Sequence, residues 1–195
     1  MAKKAVDVVL LPSDDIIHLV GKLNMEAWRR GQATIEINPA YRLPHISLLM
    51  GVLDDEHTSL VQEKMKEIAD KTPAMHLAIN KIENKSFTIE KIPEIQKLHE
   101  EVVNEINPIL GHEASKEMYA EPQGYTLYQG FEYWVNNFDT HHSFERFWPH
   151  ISTHANTLPD IQLPIACKVT RFALCHLGDH NTCRTILYET TLATS

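Results

Sequence analysis

Pro44-His45-Ile46-Ser47-Leu48-Leu49-Met50-Gly51 decides how this chain is read, because its first four residues return letter for letter as Pro149-His150-Ile151-Ser152. An apolar run closed by glycine predicts a buried strand. In a strand, residues i and i+2 share a face, so His45 and Ser47 project together while Ile46 and Leu48 point the other way. The same alternation places His150 beside Ser152. Each copy thus carries an imidazole next to a hydroxyl on a rigid element. If the two halves of the chain pack face to face, two imidazoles and two hydroxyls converge on one cleft.

Outward from these copies, apolar periodicity predicts the other elements. Val6 to Leu11 is a strand, and Ser13 caps a helix on which Ile16, Leu19, Val20, Leu23, Ala27 and Trp28 recur at helical spacing, with Gly31 as its stop. Ala33 to Ile37 predicts a short strand. Asp54-Asp55-Glu56 opens a helix ending near Lys71, and Met75 to Ile82 with Phe87 to Glu90 forms a hairpin. Pro93 starts a helix stopped by Gly111. Residues 112–130 read as a loop or insertion around Pro122, Gly124 and Gly130, before a helix over 131–138 and a further turn over 143–147. Two long strands, 164–177 and 182–192, are joined by the turn Gly178-Asp179-His180-Asn181. This mixture predicts an α+β fold.

The chain has 195 residues, of which 43% are hydrophobic and 23% charged, enough for one well-packed domain. Its net charge of −8 argues against a protein that grips long nucleic acid by its phosphates. A small phosphodiester or an RNA end in a local pocket remains compatible. Cys167, Cys175 and Cys183 are odd in number and late in the chain, which is not a disulfide framework. Lys3-Lys4 before Val8-Val9-Leu10-Leu11 imitates a signal peptide, but Asp7 and Pro12 interrupt the run. A cytoplasmic protein with no membrane partner is expected.

The paired His-x-Ser copies resemble the 2H phosphoesterase superfamily, which includes proteins akin to 2′-5′ RNA ligases and cyclic phosphodiesterases. The resemblance rests on residues 43–53 and 147–153. It implies a single bilobal domain over 1–195, with two pseudo-symmetric lobes of antiparallel sheet, helices outside and the active-site cleft between them. It also implies substrates such as 2′,3′-cyclic phosphates, 2′-5′ linkages or RNA 3′ ends, held as a nucleotide or short RNA end. After its second motif the family often continues with an arginine, whereas this chain reads Thr153-His154-Ala155-Asn156.

Histidine titrates near neutrality, so a pair can serve as general base and general acid. The expected catalytic residues are His45, His150, Ser47 and Ser152, the hydroxyls stabilising charge on the phosphate. No cofactor or metal is needed for that chemistry. Which histidine is the base stays open. Tyr41 and Tyr125, in expected loops, are candidates to stack a nucleobase. Arg171, or else Arg42, is a candidate phosphate contact. Among the late histidines and cysteines, only His176/His180 has zinc-like spacing, and its place at a strand turn argues against a closed tetrahedral site. The favoured activity is 2′,3′-cyclic phosphate hydrolysis. The alternative is a non-catalytic nucleotide or RNA-end binding protein on the same fold.

Overall fold

The fold is built on one long strand near the end of the chain. In the computed structural model, which describes residues 2–122 and 125–194, the strands are β1 (Lys3–Pro12), β2 (Ile46–Asp54), β3 (Met75–Glu83), β4 (Ser86–Ile89), β5 (His150–Ser152), β6 (Ile165–Gly178) and β7 (Thr182–Thr191). The helices are α1 (Asp14–Arg29), α2 (Thr58–Lys71), α3 (Pro93–Ile106) and α4 (Tyr133–His141). All strands join one antiparallel sheet in the order β2-β1-β6-β3-β4-β5, with β7 also on β6. Residues Ile165–Val169 of β6 pair with β3, while Val169–His176 pair with β1 and Arg171–Gly178 with β7. The sheet therefore divides on β6. One half carries the first motif on β2 and the other carries the second on β5.

Alternation along β1 separates two environments. Val6, Val8 and Leu10 enter the main core with Ile16, Val20 and Leu23 of α1, Met65 of α2 and Leu98 of α3. Each such side chain contributes about 2 kcal/mol by leaving water. Asp7, Val9 and Leu11 face the other way, and Val9 and Leu11 cluster there with Ala173, Cys175 and Cys183. Asp7 lies opposite Cys175, and Val9 opposite both Ala173 and Ser47. A bulge between Val8 and Val9 shifts the β2 register beside the first motif.

Some details differ from the sequence reading. His45 stands one residue before β2, not within it. Residues 33–37 form no strand and make a single bridge, Ala33 to Ala155. The cause is Asn24, fully buried on α1, whose amide donates to the carbonyls of Ile35 and Thr153 and accepts the Ile37 N–H. The polar groups a ladder would have paired are satisfied by one side chain instead. Trp28, 43% exposed, falls off the buried stripe that ends at Ala27. Gly31 does stop α1, at a φ of 68°. Gly124 lies outside the described residues.

Candidate active site

The two motif histidines are oriented by the same device. His45 Nδ1 lies 2.8 Å from the Leu43 carbonyl, and His150 Nδ1 lies 2.8 Å from the Trp148 carbonyl. A carbonyl can only accept, so in each ring Nδ1 carries the proton and donates it. Nε2 is the other ring nitrogen of each, and in His45 it faces Asp7. Leu43 is itself fixed by donating its N–H to the Cys183 carbonyl at 2.9 Å. The first histidine is thereby referenced to β7, and the second to its own short strand.

Beyond that shared anchor the environments diverge. His45 Nε2 lies 3.5 Å from Asp7 Oδ2, and the Ser47 hydroxyl donates to the same oxygen at 2.6 Å. Asp7 is fully buried, and burying a carboxylate costs several kcal/mol unless a positive or hydrogen-bonding partner offsets it. Burial pushes the Asp7 carboxyl above its ordinary range, against the pull of His45 and Ser47. Burial also opposes charge on His45, but Asp7 and the Leu43 carbonyl outweigh it and leave the imidazole above its ordinary value. His150 moves the opposite way. Burial lowers it, the Trp148 carbonyl only partly offsets this, and the positive charge of His45 lowers it further. The Trp148 indole stacks on the His150 ring at 4.1 Å and 19°. The Ser152 hydroxyl takes no side-chain hydrogen bond among the described residues.

A second group of side chains adjoins the first. His154 sits in the left-handed region at a φ of 53°, uncommon for a residue with a side chain. Its ring stands edge-on to His180 at 6.0 Å. Burial, then proximity to His180, His45, Lys85 and Arg42, pushes its pKa down to about 3, so it is neutral. Arg42 is steadied by donating to the Glu36 carbonyl at 2.8 Å.

The other expected residues are placed as follows. Tyr41 is 38% exposed, with the Arg42 and Arg184 guanidinium groups each 5.6 Å from its ring. Arg171 pairs with Glu189 through two nitrogens, at 2.9 and 3.0 Å. Tyr41, Arg171 and Arg184 share the wall of a recess of about 380 Å³ that also touches Leu43 and Cys183. Tyr125 donates to Asp179 at 3.0 Å and is not among the residues lining that recess. His176 faces the Met118 carbonyl at 2.9 Å and His180 faces Asp179, so the pair with zinc-like spacing is occupied separately. A cavity of about 770 Å³ opens among α2, α3 and the start of β3, lined by Lys71, Leu98 and Glu101, and holds none of the expected residues.

Asp7 is the site residue that the sequence reading missed. Its signal was present in Lys3–Pro12, a lone acid inside an otherwise apolar strand. Such an acid, once folded, needs a reason to be buried.

No family model and no curated protein matches the sequence. Solved structures do. TT0787 of Thermus thermophilus superposes with a TM-score of 0.63 at 13% identity, over 96% of this chain and 97% of its own. E. coli LigT complexed with 3′-AMP gives 0.52 at 13% identity over 98% and 99%. A structure described as a phosphoesterase gives 0.51 at 12% over 98% and 99%. At these identities the likeness establishes the fold, and the fold is the α+β arrangement expected from the paired motifs. Among the described residues, no helix is long and apolar enough to cross a membrane.

Proposed function

We propose that this chain is a 2H-type phosphoesterase that opens an RNA-type phosphodiester, in the first instance a 2′,3′-cyclic phosphate, without a metal. The observation that carries this reading is the pair of identically anchored imidazoles in unlike surroundings, a buried carboxylate beside His45 and an indole stacked on His150, which favour the charged form of the first and the neutral form of the second. A general acid must hold its proton at working pH and a general base must lack it. His150 is therefore the base, taking a proton from the attacking water. His45 is the acid, giving its Nε2 proton to the ribose oxygen as the P–O bond breaks. Asp7 keeps the acid charged. The free Ser152 hydroxyl donates to the phosphate oxygens as their charge grows. Ser47 acts through Asp7, since its own proton is already given to that carboxylate. Arg42 and Lys85 supply positive charge beside His154. Tyr41 and Arg171, in their shared recess, flank the nucleoside. The occupants of LigT structures, 3′-AMP, ATP and NADP+, support a nucleotide-sized ligand for this fold.

The test is turnover, with EDTA present, of 2′,3′-cyclic nucleotides, short RNAs ending in a cyclic phosphate and 2′-5′ dinucleotides. His45→Ala and His150→Ala should each lose about 100-fold or more in kcat. Tight binding of one panel member with no turnover would instead identify a nucleotide-binding protein.

A further inference from the structure

Asp7, His45 and Cys183 each offer one ligand atom, and these atoms lie within 4.8 Å of one another. We propose that this triad binds a thiophilic divalent cation, zinc in the first instance, and that the bound ion switches the enzyme off by occupying His45 Nε2. The inhibitory half of this proposal rests on the catalytic role given to His45 above.

Spacing supports it. Tetrahedral zinc holds oxygen, nitrogen and sulfur ligands at about 2.0–2.3 Å, which separates ligand atoms by about 3.4–3.7 Å. His45 Nε2 and Asp7 Oδ2 are already 3.5 Å apart. The supporting shell is also in place. A metal-binding histidine normally donates its other ring N–H to a carbonyl or carboxylate, and His45 does so to Leu43. Ser47 steadies the carboxylate in the same manner. With Oδ2 as the ligand, Oδ1 of the same carboxylate, buried and without a hydrogen-bond partner among the described residues, is a second oxygen the cation can draw on. Oxygen, imidazole and thiolate together suit zinc, with the fourth position left to water. On binding, the imidazolium and the thiol each release one proton to solvent. Aspartate and thiolate then balance the two charges of the ion. The ligands come from β1, the residue before β2 and the second residue of β7, so no short Cys or His spacing announces them in the sequence.

Cys183 is the place to separate metal binding from catalysis, because its thiol takes no part in the proton transfers. The full chain, without substrate, is titrated with Zn²⁺ and separately with Co²⁺. Expected are one ion per chain and a near-ultraviolet thiolate-to-cobalt charge-transfer band. Cys183→Ala should abolish the band and weaken zinc binding by about 100-fold or more, whereas Cys175→Ala should keep both. Cys183→Ser, with circular dichroism to confirm folding, is the second variant. In turnover of a 2′,3′-cyclic nucleotide, zinc should inhibit the wild type, EDTA should restore it, and whatever rate Cys183→Ala retains should resist zinc. A band that survives Cys183→Ala and Cys183→Ser, or bound zinc that leaves turnover intact, overturns the proposal. Absence of any turnover under EDTA refutes the enzyme reading, and with it the inhibitory half, while the cobalt spectrum still decides the metal site.

Discussion

The two copies of Pro-His-Ile-Ser share an anchor and little else. Both rings donate Nδ1–H to the carbonyl two residues earlier at 2.8 Å, so the repeated sequence dictates the orientation of each imidazole. Around His45 the neighbours are polar: a buried carboxylate and a serine already bonded to it. Around His150 they are an indole face and a serine whose hydroxyl has no side-chain hydrogen bond among the described residues. Identical tetrapeptides thus yield one imidazole biased toward its charged form and one toward its neutral form. Catalysis by an acid and a base needs that inequality, and a chain repeating its motif must obtain it from residues outside the motif.

One residue holds the two copies in register, and removing it is the strongest way to break the comparison. His99 is fully buried on α3. It donates Nδ1–H to the Leu48 carbonyl, one residue past Ser47, and accepts the Phe144 N–H at Nε2, both at 2.9 Å. It also stacks on Phe147 at 4.0 Å, two residues before the second Pro-His. His99→Ala, which loses both bonds and the stack, should cost about 3 kcal/mol in urea unfolding. Burial depresses its pKa to about 4. Its neutral form is therefore the folded form, and its stabilisation is complete above pH 6.5 and lost as pH falls from 6.5 toward 4. In His99→Phe that acid-side slope should flatten; an unchanged slope would place the acid sensitivity elsewhere.

The serines sharpen the comparison next. Ser152→Ala removes the donor proposed for the developing phosphate charge and should lower kcat by about 100-fold. Ser47→Ala leaves phosphate contacts in place and loosens Asp7, at a cost of about tenfold or less. Equal losses in the two variants would show that the serines act alike and that the Ser47 to Asp7 bond is rearranged when substrate binds.

Asp7→Asn tests the source of the inequality. If His45 is the acid, as proposed, it sets the alkaline limb of kcat/KM, and losing the carboxylate charge lowers its pKa, so that limb should move to lower pH. Activity on the alkaline side should fall by about tenfold. The acidic limb, set by His150, should stay where it is. Displacement of the acidic limb alone would exchange the two roles.

The sequence carried this site unevenly, for physical reasons. The motif strands, the hairpins and the three longer helices follow from apolar periodicity, because one buried face imposes it. The 33–37 segment misled: its alternation resembles a strand, but Asn24, thirteen residues or fewer away along the chain, satisfies Ile35 and Ile37 in place of a partner strand. Asp7 reads as a flaw in an apolar run, since local pattern cannot say that two other strands bring His45 and Cys183 to it. The recess joining Tyr41 to Arg171 likewise depends on the β6–β7 pairing, which fixes which side chains of distant segments meet. Single residues and local period are legible; the pairing of environments is a tertiary property.

The smallest expected effect concerns the indole. Trp148 contributes two separate things to His150: a backbone carbonyl that orients the ring and a side chain that covers it. Trp148→Leu keeps the first and removes most of the second. With the anchor intact, Nε2 still points to the substrate, so kcat at its optimum should change by about threefold or less. Less cover means less burial, the leading cause of the lowered His150 pKa. Its pKa should rise toward the ordinary value, moving the acidic limb of kcat/KM to higher pH while the alkaline limb stays fixed. The loss therefore grows as pH falls below 6.5, the ordinary value for histidine, the reverse of Asp7→Asn, whose loss grows as pH rises. If both limbs move together in Trp148→Leu, the indole is holding the whole site and not one ring, and the separate tuning of the two histidines fails.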